Sequence, residues 1–128
     1  MARPASTQPT EVELEILRIL WDDGPSIARH IHDRLQATRQ TTYSTTVKML
    51  SVMLDKGLLK RDDEAKPQIY RPSNARQRTQ KRMLSDLIER VYDGSAGALM
   101  LHALSSKKAS AEDIAEIRRL LDQLENPS

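Results

Sequence analysis

The chain has 128 residues, no cysteine and a formal net charge of only +2, although 30% of its residues are charged. This length suits one domain of ordinary size, or a small domain with an added element, and it is enough to bury a real core. Without cysteine, disulfides and thiolate metal sites are excluded. No apolar run approaches the roughly 20 residues that cross a bilayer, so we expect a cytoplasmic protein with no membrane insertion.

Charge is distributed unevenly along the chain. Between residues 39 and 61 there are five basic residues and one acid, whereas the first predicted helix carries Glu11, Glu13 and Glu15. The segment 65–85 holds six basic residues and no acid. A basic segment of this kind indicates polyanion binding, although a solvated basic surface would have the same composition.

The first elements in chain order are an arm and a helix. Residues 1–8 are polar and are predicted to be a disordered arm. Thr10 and Glu13 have the spacing of a capping box, which opens a helix with apolar residues on most sides. Gly24 and Pro25 end it, because glycine accepts positive φ and proline cannot continue a helix.

Two further helices follow. We predict that Ser26 caps the second helix, which carries apolar residues at helical spacing. The third helix is predicted over residues 42–56, with Gly57 as its C-cap. The predicted inward face of this third helix consists of Thr46, Met49, Leu50 and Met53.

A basic β-hairpin is predicted after the third helix. Its strands are expected near residues 58–61 and 68–71, with turn-forming residues between them. The third helix thus begins with hydroxyl residues, ends at a glycine and is followed by a basic hairpin. This order is found in a winged helix-turn-helix. In that fold one helix enters a major groove while the wing lies on the flanking backbone.

Candidate DNA contacts follow from this order. The first turns of a recognition helix meet base edges and phosphate, where hydroxyls and lysine are suitable donors. Val47 would face outward, where a thymine methyl offers an apolar partner. Cations of the wing are candidates for phosphate contact. The predicted DNA-binding residues are Thr41, Thr42, Tyr43, Ser44, Thr45, Val47, Lys48, Lys60, Arg61, Lys66 and Arg71.

The last third of the chain is predicted to form three helices. They are too few and too short to enclose a core alone, so pairing with the same helices of a second chain is expected. The predicted dimerisation residues are Leu84, Leu87, Ile88, Leu99, Ile114, Ile117, Leu121 and Leu124.

A metal site or an active site is not expected. His30 and His32 are two residues apart on a helix and point in different directions, whereas helical ligand pairs need spacings of three or four. His102 lies on a distant helix. No nucleophile with a base, glycine-rich phosphate loop or paired-carboxylate site is recognisable, so we expect no cofactor and no enzymatic activity.

Taken together, these motifs resemble the penicillinase-repressor family, the BlaI and MecI group, which includes copper-responsive CopY repressors. The resemblance covers about residues 9–124 and depends on the order and spacing of segments 11–21, 43–50, 56–59, 69–72, 91–94 and 111–117. It implies a homodimeric repressor on a palindromic double-stranded DNA operator. In similar proteins a membrane sensor protease triggers cleavage of the repressor.

Two departures from the family pattern concern induction. Where antibiotic-responsive members carry an Asn-Phe scissile bond, this sequence has His102-Ala103, which leaves cleavage-driven induction or another cleaved bond open. Copper-responsive members carry cysteine pairs, and this chain has none, so thiolate copper sensing is excluded. The inducing signal, the operator sequence and the regulated genes stay open.

The sequence thus predicts a mainly α protein with a small β-wing: a winged helix-turn-helix plus a C-terminal helical dimerisation region. Its domains would be the arm 1–8, a DNA-binding domain 9–72 and a dimerisation region 73–128. The predicted function is homodimeric repression at a palindromic operator through residues 42–56 and the wing 58–71. Two alternatives remain, a winged-helix protein-interaction module and a MarR-like repressor released by a small molecule.

Overall fold

The structure is a computed structural model, and it describes residues 8–126. The predicted arm therefore lies outside the described residues except for Gln8. Six helices and three short strands occur between residues 8 and 126. In chain order they are α1 (Glu11–Asp23), β1 (Ser26–Ile27), α2 (Ala28–Gln36), α3 (Tyr43–Asp55), β2 (Leu59–Asp62), β3 (Ile69–Pro72), α4 (Arg76–Val91), α5 (Ala96–Ser106) and α6 (Ala111–Glu125). The predicted fold class, mainly α with a small β-wing, is confirmed.

The start of α1 forms the predicted capping box. The Glu13 amide donates to Thr10 Oγ1 at 3.3 Å, and the Thr10 amide donates to Glu13 Oε1 at 3.0 Å. Both bonds satisfy amides that a helix leaves without an intrahelical acceptor. The apolar side of α1 then enters the core of the winged-helix unit, whose buried members are Ile16, Leu17, Ile19, Leu20, Ile31, Leu35, Leu50, Met53, Leu59 and Tyr70.

The prediction that Ser26 caps the second helix is wrong. Ser26 lies in strand β1, which pairs with β3 through Ser26 opposite Tyr70. The residue at the N-cap position of α2 is Ile27, which makes no side-chain capping bond. The Ser26 hydroxyl instead donates to the Gly24 carbonyl at 2.8 Å. A sheet partner more than forty residues away in sequence thus determines the local conformation.

The C-terminus of α3 differs slightly from the prediction. The C-cap is Lys56, and Gly57, with φ +79°, is the next residue. The Gly57 amide donates to Leu54 O and the Leu58 amide to Met53 O, which together form a Schellman motif. The predicted inward face holds, since Thr46, Leu50 and Met53 are buried and Met49 is half-buried.

The three strands form one antiparallel sheet in the order β1-β3-β2. The wing is therefore a hairpin of β2 and β3 with β1 added at the edge of β3. Lys60 lies opposite Arg71, and Arg61 lies opposite Tyr70. Tyr70 is buried, so its face of the sheet covers the core and the Lys60 face is turned outward.

The chain forms two compact units, one ending at Met83 and the other beginning at Leu84, so the division falls inside α4. The start of α4 belongs to the first unit. There Trp21 Nε1 donates to Asn74 O at 3.1 Å, and Arg76 pairs with Asp22 at 2.6 Å. The predicted functional division after residue 72 stays a prediction.

The second unit comprises the end of α4 together with α5 and α6. None of the described residues of these three helices is buried. A turn joins α4 to α5, in which the Gly94 amide donates to Ile88 O at 2.9 Å. No helix within residues 8–126 combines the length and apolar character that a membrane crossing requires.

Candidate nucleic-acid interface

The first turn of α3 presents a cluster of hydroxyls. Thr42 is the N-cap, and its Oγ1 accepts from the Thr45 amide at 3.2 Å. The same hydroxyl lies 2.8 Å from Thr45 Oγ1 and 3.2 Å from Ser44 Oγ. The first turn contains no acid. A helix N-terminus with free amides, hydroxyls and no carboxylate is suited to contact phosphate.

The predicted contact residues of α3 lie on its solvent side. Tyr43 and Val47 are 38% and 37% exposed, and Lys48 is exposed beside them. Thr41, just before the helix, is half-buried. Because Thr46 and Leu50 hold the opposite side of α3 in the core, this solvent side is displayed in a single orientation.

The cations of the wing lie on different faces of the β-sheet. Lys60 and Arg71 are cross-strand neighbours on the outward face. Arg61 lies on the other face, where its guanidinium bonds Asp63. The pKa of Arg61 is raised, mainly by the hydrogen bond to Asp63 and then by one to Tyr70. Arg61 is thus engaged within the protein, whereas Lys60 and Arg71 face solvent.

Acids neutralise several cations that the sequence analysis had counted as basic surface. Arg39 pairs with Glu15 at 2.5 Å, and Lys56 pairs with Glu13 at 2.6 Å. In contrast, Lys48, Lys60, Lys66 and Arg71 have no acid partner among residues 8–126. Of the cations predicted to contact DNA, those without an acid partner among residues 8–126 therefore include Lys48 on the recognition helix and Lys60 and Arg71 on the wing.

Helix α2 adds residues that the sequence analysis missed. The Arg29 guanidinium lies over the Tyr43 ring, 4.1 Å from its centroid. The buried His32 contacts the same ring edge-on, with centroids 5.6 Å apart. Gln36 completes a stripe at spacings of three and four along one side of α2. That spacing was visible in the sequence, but the histidine had been considered only as a metal ligand.

A shallow groove of about 210 Å³ connects these elements. Arg29 of α2, Tyr43 and Val47 of α3, and Gln68 and Tyr70 near the wing all line it. The groove therefore joins the start of the recognition helix to the wing within one unit. No cluster of three or more candidate metal ligands occurs in residues 8–126.

The sequence matches the model of the penicillinase repressor family over residues 9–123. The chain belongs to the penicillinase repressor family. It is 23% identical to the penicillinase repressor of Bacillus licheniformis over 119 residues, 93% of each chain. It is 25% identical to the transcriptional regulator BlaI of Mycobacterium tuberculosis over 121 residues, 93% of this chain and 86% of that one. It is also 24% identical to the methicillin resistance regulatory protein MecI of Mammaliicoccus sciuri over 118 residues, 89% and 93% of the two chains.

Membership of the penicillinase repressor family confirms the predicted resemblance and makes this chain one of a family of transcriptional repressors. The position compared with the family's scissile bond, His102-Ala103, lies inside helix α5 and is exposed. His102 Nδ1 lies 3.0 Å from the Tyr92 hydroxyl. Proteolytic nicking concentrates in exposed loops, so cleavage here would need α5 to unwind locally. A sensor protease as partner stays a prediction.

The second unit of this penicillinase repressor family protein has a large exposed apolar surface. Of the predicted dimerisation residues, Leu84, Leu87, Ile114, Leu121 and Leu124 are 40–77% exposed. The other three, Ile88, Leu99 and Ile117, are half-buried. Further exposed apolar residues, not singled out from the sequence for dimerisation, are Val91, Met100, Leu101, Leu104 and Leu120.

Proposed function

We propose that this protein is a homodimeric repressor that binds an operator of twofold symmetry through α3 and the β-wing. The observation that carries the proposal is the first turn of α3, where exposed hydroxyls and Lys48 stand without a competing acid. The wing adds the outward pair Lys60 and Arg71. Helix α3 would read base edges, and the wing would contact the flanking phosphates. The DNA-binding residues predicted from the sequence are retained, with a lesser part for Arg61 because Asp63 binds it, and Arg29 is added.

Exposed apolar surface supports the dimer. A unit with no buried side chain in its described helices has little hydrophobic stabilisation as a single chain. Large exposed apolar side chains on all three of these helices favour an interface over a solvated face. A second copy offers the same apolar surface, and a self-complementary contact produces twofold symmetry. The predicted roles of residues 9–72 in DNA binding and 73–128 in dimerisation are retained as part of this proposal.

A groove in the second unit supports release by a small molecule as a second candidate mechanism. Its volume is about 600 Å³, within the range of ligand sites. Leu104, Ile114, Ile117 and Leu121 line it, with Lys107 at its edge. Because these residues overlap the proposed dimer surface, a ligand bound there would compete with the partner. A compound that lowers operator affinity without proteolysis, and converts dimers to monomers, would support this mechanism.

Binding-site selection with the purified protein and a pool of random duplexes tests the main proposal. Recovery of an inverted repeat, with half-sites about one helical turn or a multiple of it apart, is the expected result. The affinity for that repeat should fall steeply with salt, because each phosphate contact releases a counterion. Absence of any enriched sequence, with only weak salt-sensitive binding, would instead favour a winged-helix protein-interaction module.

A further inference from the structure

A relay of three hydrogen bonds connects α2 to the start of α3. Gln36 Nε2 lies 2.5 Å from the Thr41 carbonyl oxygen and 3.1 Å from His32 Nε2. On the other side of the imidazole, His32 Nδ1 lies 2.9 Å from Thr46 Oγ1. The relay therefore extends from Thr41, the residue before the N-cap of α3, to Thr46 in the first turn of α3.

The donor pattern determines the protonation state of His32. An amide nitrogen only donates, and the Thr41 carbonyl oxygen only accepts, so Gln36 must present Nε2 to Thr41. If the Gln36 amide were flipped, two acceptor oxygens would lie 2.5 Å apart. Gln36 then also donates to His32 Nε2, which must be unprotonated. The neutral imidazole carries its hydrogen on Nδ1 and donates it to Thr46 Oγ1.

The relay is anchored in the core. His32 is 6% exposed and Thr46 is fully buried, whereas Gln36 is exposed at the outer end. His32 also contacts the Tyr43 ring at an interplanar angle of 88°. Two side chains of α2, His32 and Gln36, thus contact the start of the recognition helix at three residues: Thr41, Tyr43 and Thr46.

We propose that Gln36 and neutral His32 are positioning residues for sequence reading, which rests on the proposed function of α3. They hold the hydroxyl cluster and Lys48 in the single orientation that matches base edges. Phosphate contacts tolerate small displacements, but hydrogen bonds to base edges do not. Loss of the relay should therefore weaken binding to the selected sequence and leave non-specific binding unchanged.

The first test compares Gln36→Ala with the control Gln77→Ala, an exposed glutamine on α4. The probes are a duplex selected by the wild-type protein from a random pool and a scrambled duplex of equal composition. Gln36→Ala removes both Gln36 hydrogen bonds of the relay and should bind the selected duplex at least about five- to tenfold more weakly, the effect expected for one such bond. Affinity for the scrambled duplex should not change, and Gln77→Ala should behave as wild type on both duplexes. Equal loss on both duplexes, or none, would overturn the inference.

The second test is the selection itself. If no sequence is selected at all, the proposed function fails and the positioning role fails with it.

Discussion

Lys60 on β2 lies directly opposite Arg71 on β3, and both side chains face away from the core. Like charges at directly opposite positions destabilise an antiparallel sheet. No acid among the described residues pairs with either cation. We expect an external anion to offset this unfavourable pair, and DNA phosphate is the anion that the proposed function supplies.

Removal of this pair should reduce the salt dependence of DNA binding. Each substitution removes one cation from both wings of the proposed homodimer, so Lys60→Ala and Arg71→Ala should each lower the slope of log affinity against log salt by about 1.8, and the double variant by about twice that amount. The measurement is a titration of duplex DNA at several salt concentrations. Arg61→Ala is the matched control, because Arg61 faces the other side and is bound by Asp63. A larger effect of Arg61→Ala than of Lys60→Ala would contradict the proposed geometry of the wing.

Lys48→Ala should weaken operator binding by about tenfold, as expected for a contact on the recognition helix. Its ammonium group is exposed on the first turns of α3 and has no acid partner among residues 8–126. Fluorescence anisotropy with the selected operator would measure the effect. Lys108→Ala, in the link between α5 and α6 of the second unit, removes the same charge outside the winged-helix unit and should leave affinity nearly unchanged. Unchanged affinity of Lys48→Ala at two salt concentrations would count against α3 as the recognition helix.

Arg29 should contribute to DNA binding through a position set by Tyr43. A planar guanidinium stacks on an aromatic ring, which a lysine ammonium cannot do in the same way. We therefore expect Arg29→Ala to weaken operator binding several-fold and Arg29→Lys to restore only part of the loss. Arg18→Ala, an exposed arginine on α1, is the charge-matched control. Full restoration by lysine would show that charge suffices and that the stacking geometry has no role.

Leu121→Asp should convert the protein to monomers. Leu121 is 47% exposed on the apolar side of α6, and a carboxylate buried at the proposed interface would lack a partner. Light scattering at micromolar concentration would report the mass, and operator affinity should fall about a hundredfold as the second half-site contact is lost. Gln123→Asp, on the opposite side of the same helix, should stay dimeric. A wild-type protein that is already monomeric would disprove the dimer.

The Glu13–Lys56 pair should make stability depend on pH in acid. Burial raises the pKa of Glu13, but bonds from Lys56 and Thr10 outweigh it and hold the pKa below the usual 4.5. As pH falls, the unfolded chain therefore binds this proton before the folded chain does. The stabilisation by the Glu13–Lys56 pair is thus complete above the usual pKa of 4.5. It is lost as pH falls through the folded-state pKa.

Urea unfolding at pH 7 and at acid pH would measure this dependence. Glu13→Gln should cost about 3 kcal/mol at pH 7, because it leaves the Lys56 ammonium, only 16% exposed, without its partner. The variant should also lose less further stability in acid than wild type. Glu11→Gln, an exposed acid in the same turn, is the control. Equal acid sensitivity of Glu13→Gln and wild type would exclude the pair as the cause.

Local patterns in the sequence predicted most of the fold. The capping box at Thr10 and the glycine after α3 depend on neighbours within a few residues, so they could be recognised without tertiary information. The buried face of α3 followed from helical periodicity for the same reason. The fold class and the family were therefore accessible from the sequence.

Contacts between distant segments could not be predicted in this way. Ser26 had the composition of a helix cap, yet its pairing with Tyr70 makes it part of a strand. Arg39 and Lys56 were counted with the basic surface, although Glu15 and Glu13 bind them. A count of charges along a segment contains no information on which acids fold against it, and therefore overestimates the free positive charge.

The sequence by itself determined the order of the six helices and the two wing strands, the hydroxyl-rich start of α3 and the basic character of the wing. These properties depend on residue type and short-range spacing. Only the tertiary structure decided which cations stay unpaired, that Lys60 and Arg71 share a face, and that Arg29, His32 and Gln36 meet the start of α3. Packing between elements sets these relationships, because side chains far apart in sequence become partners only when the core brings their elements together.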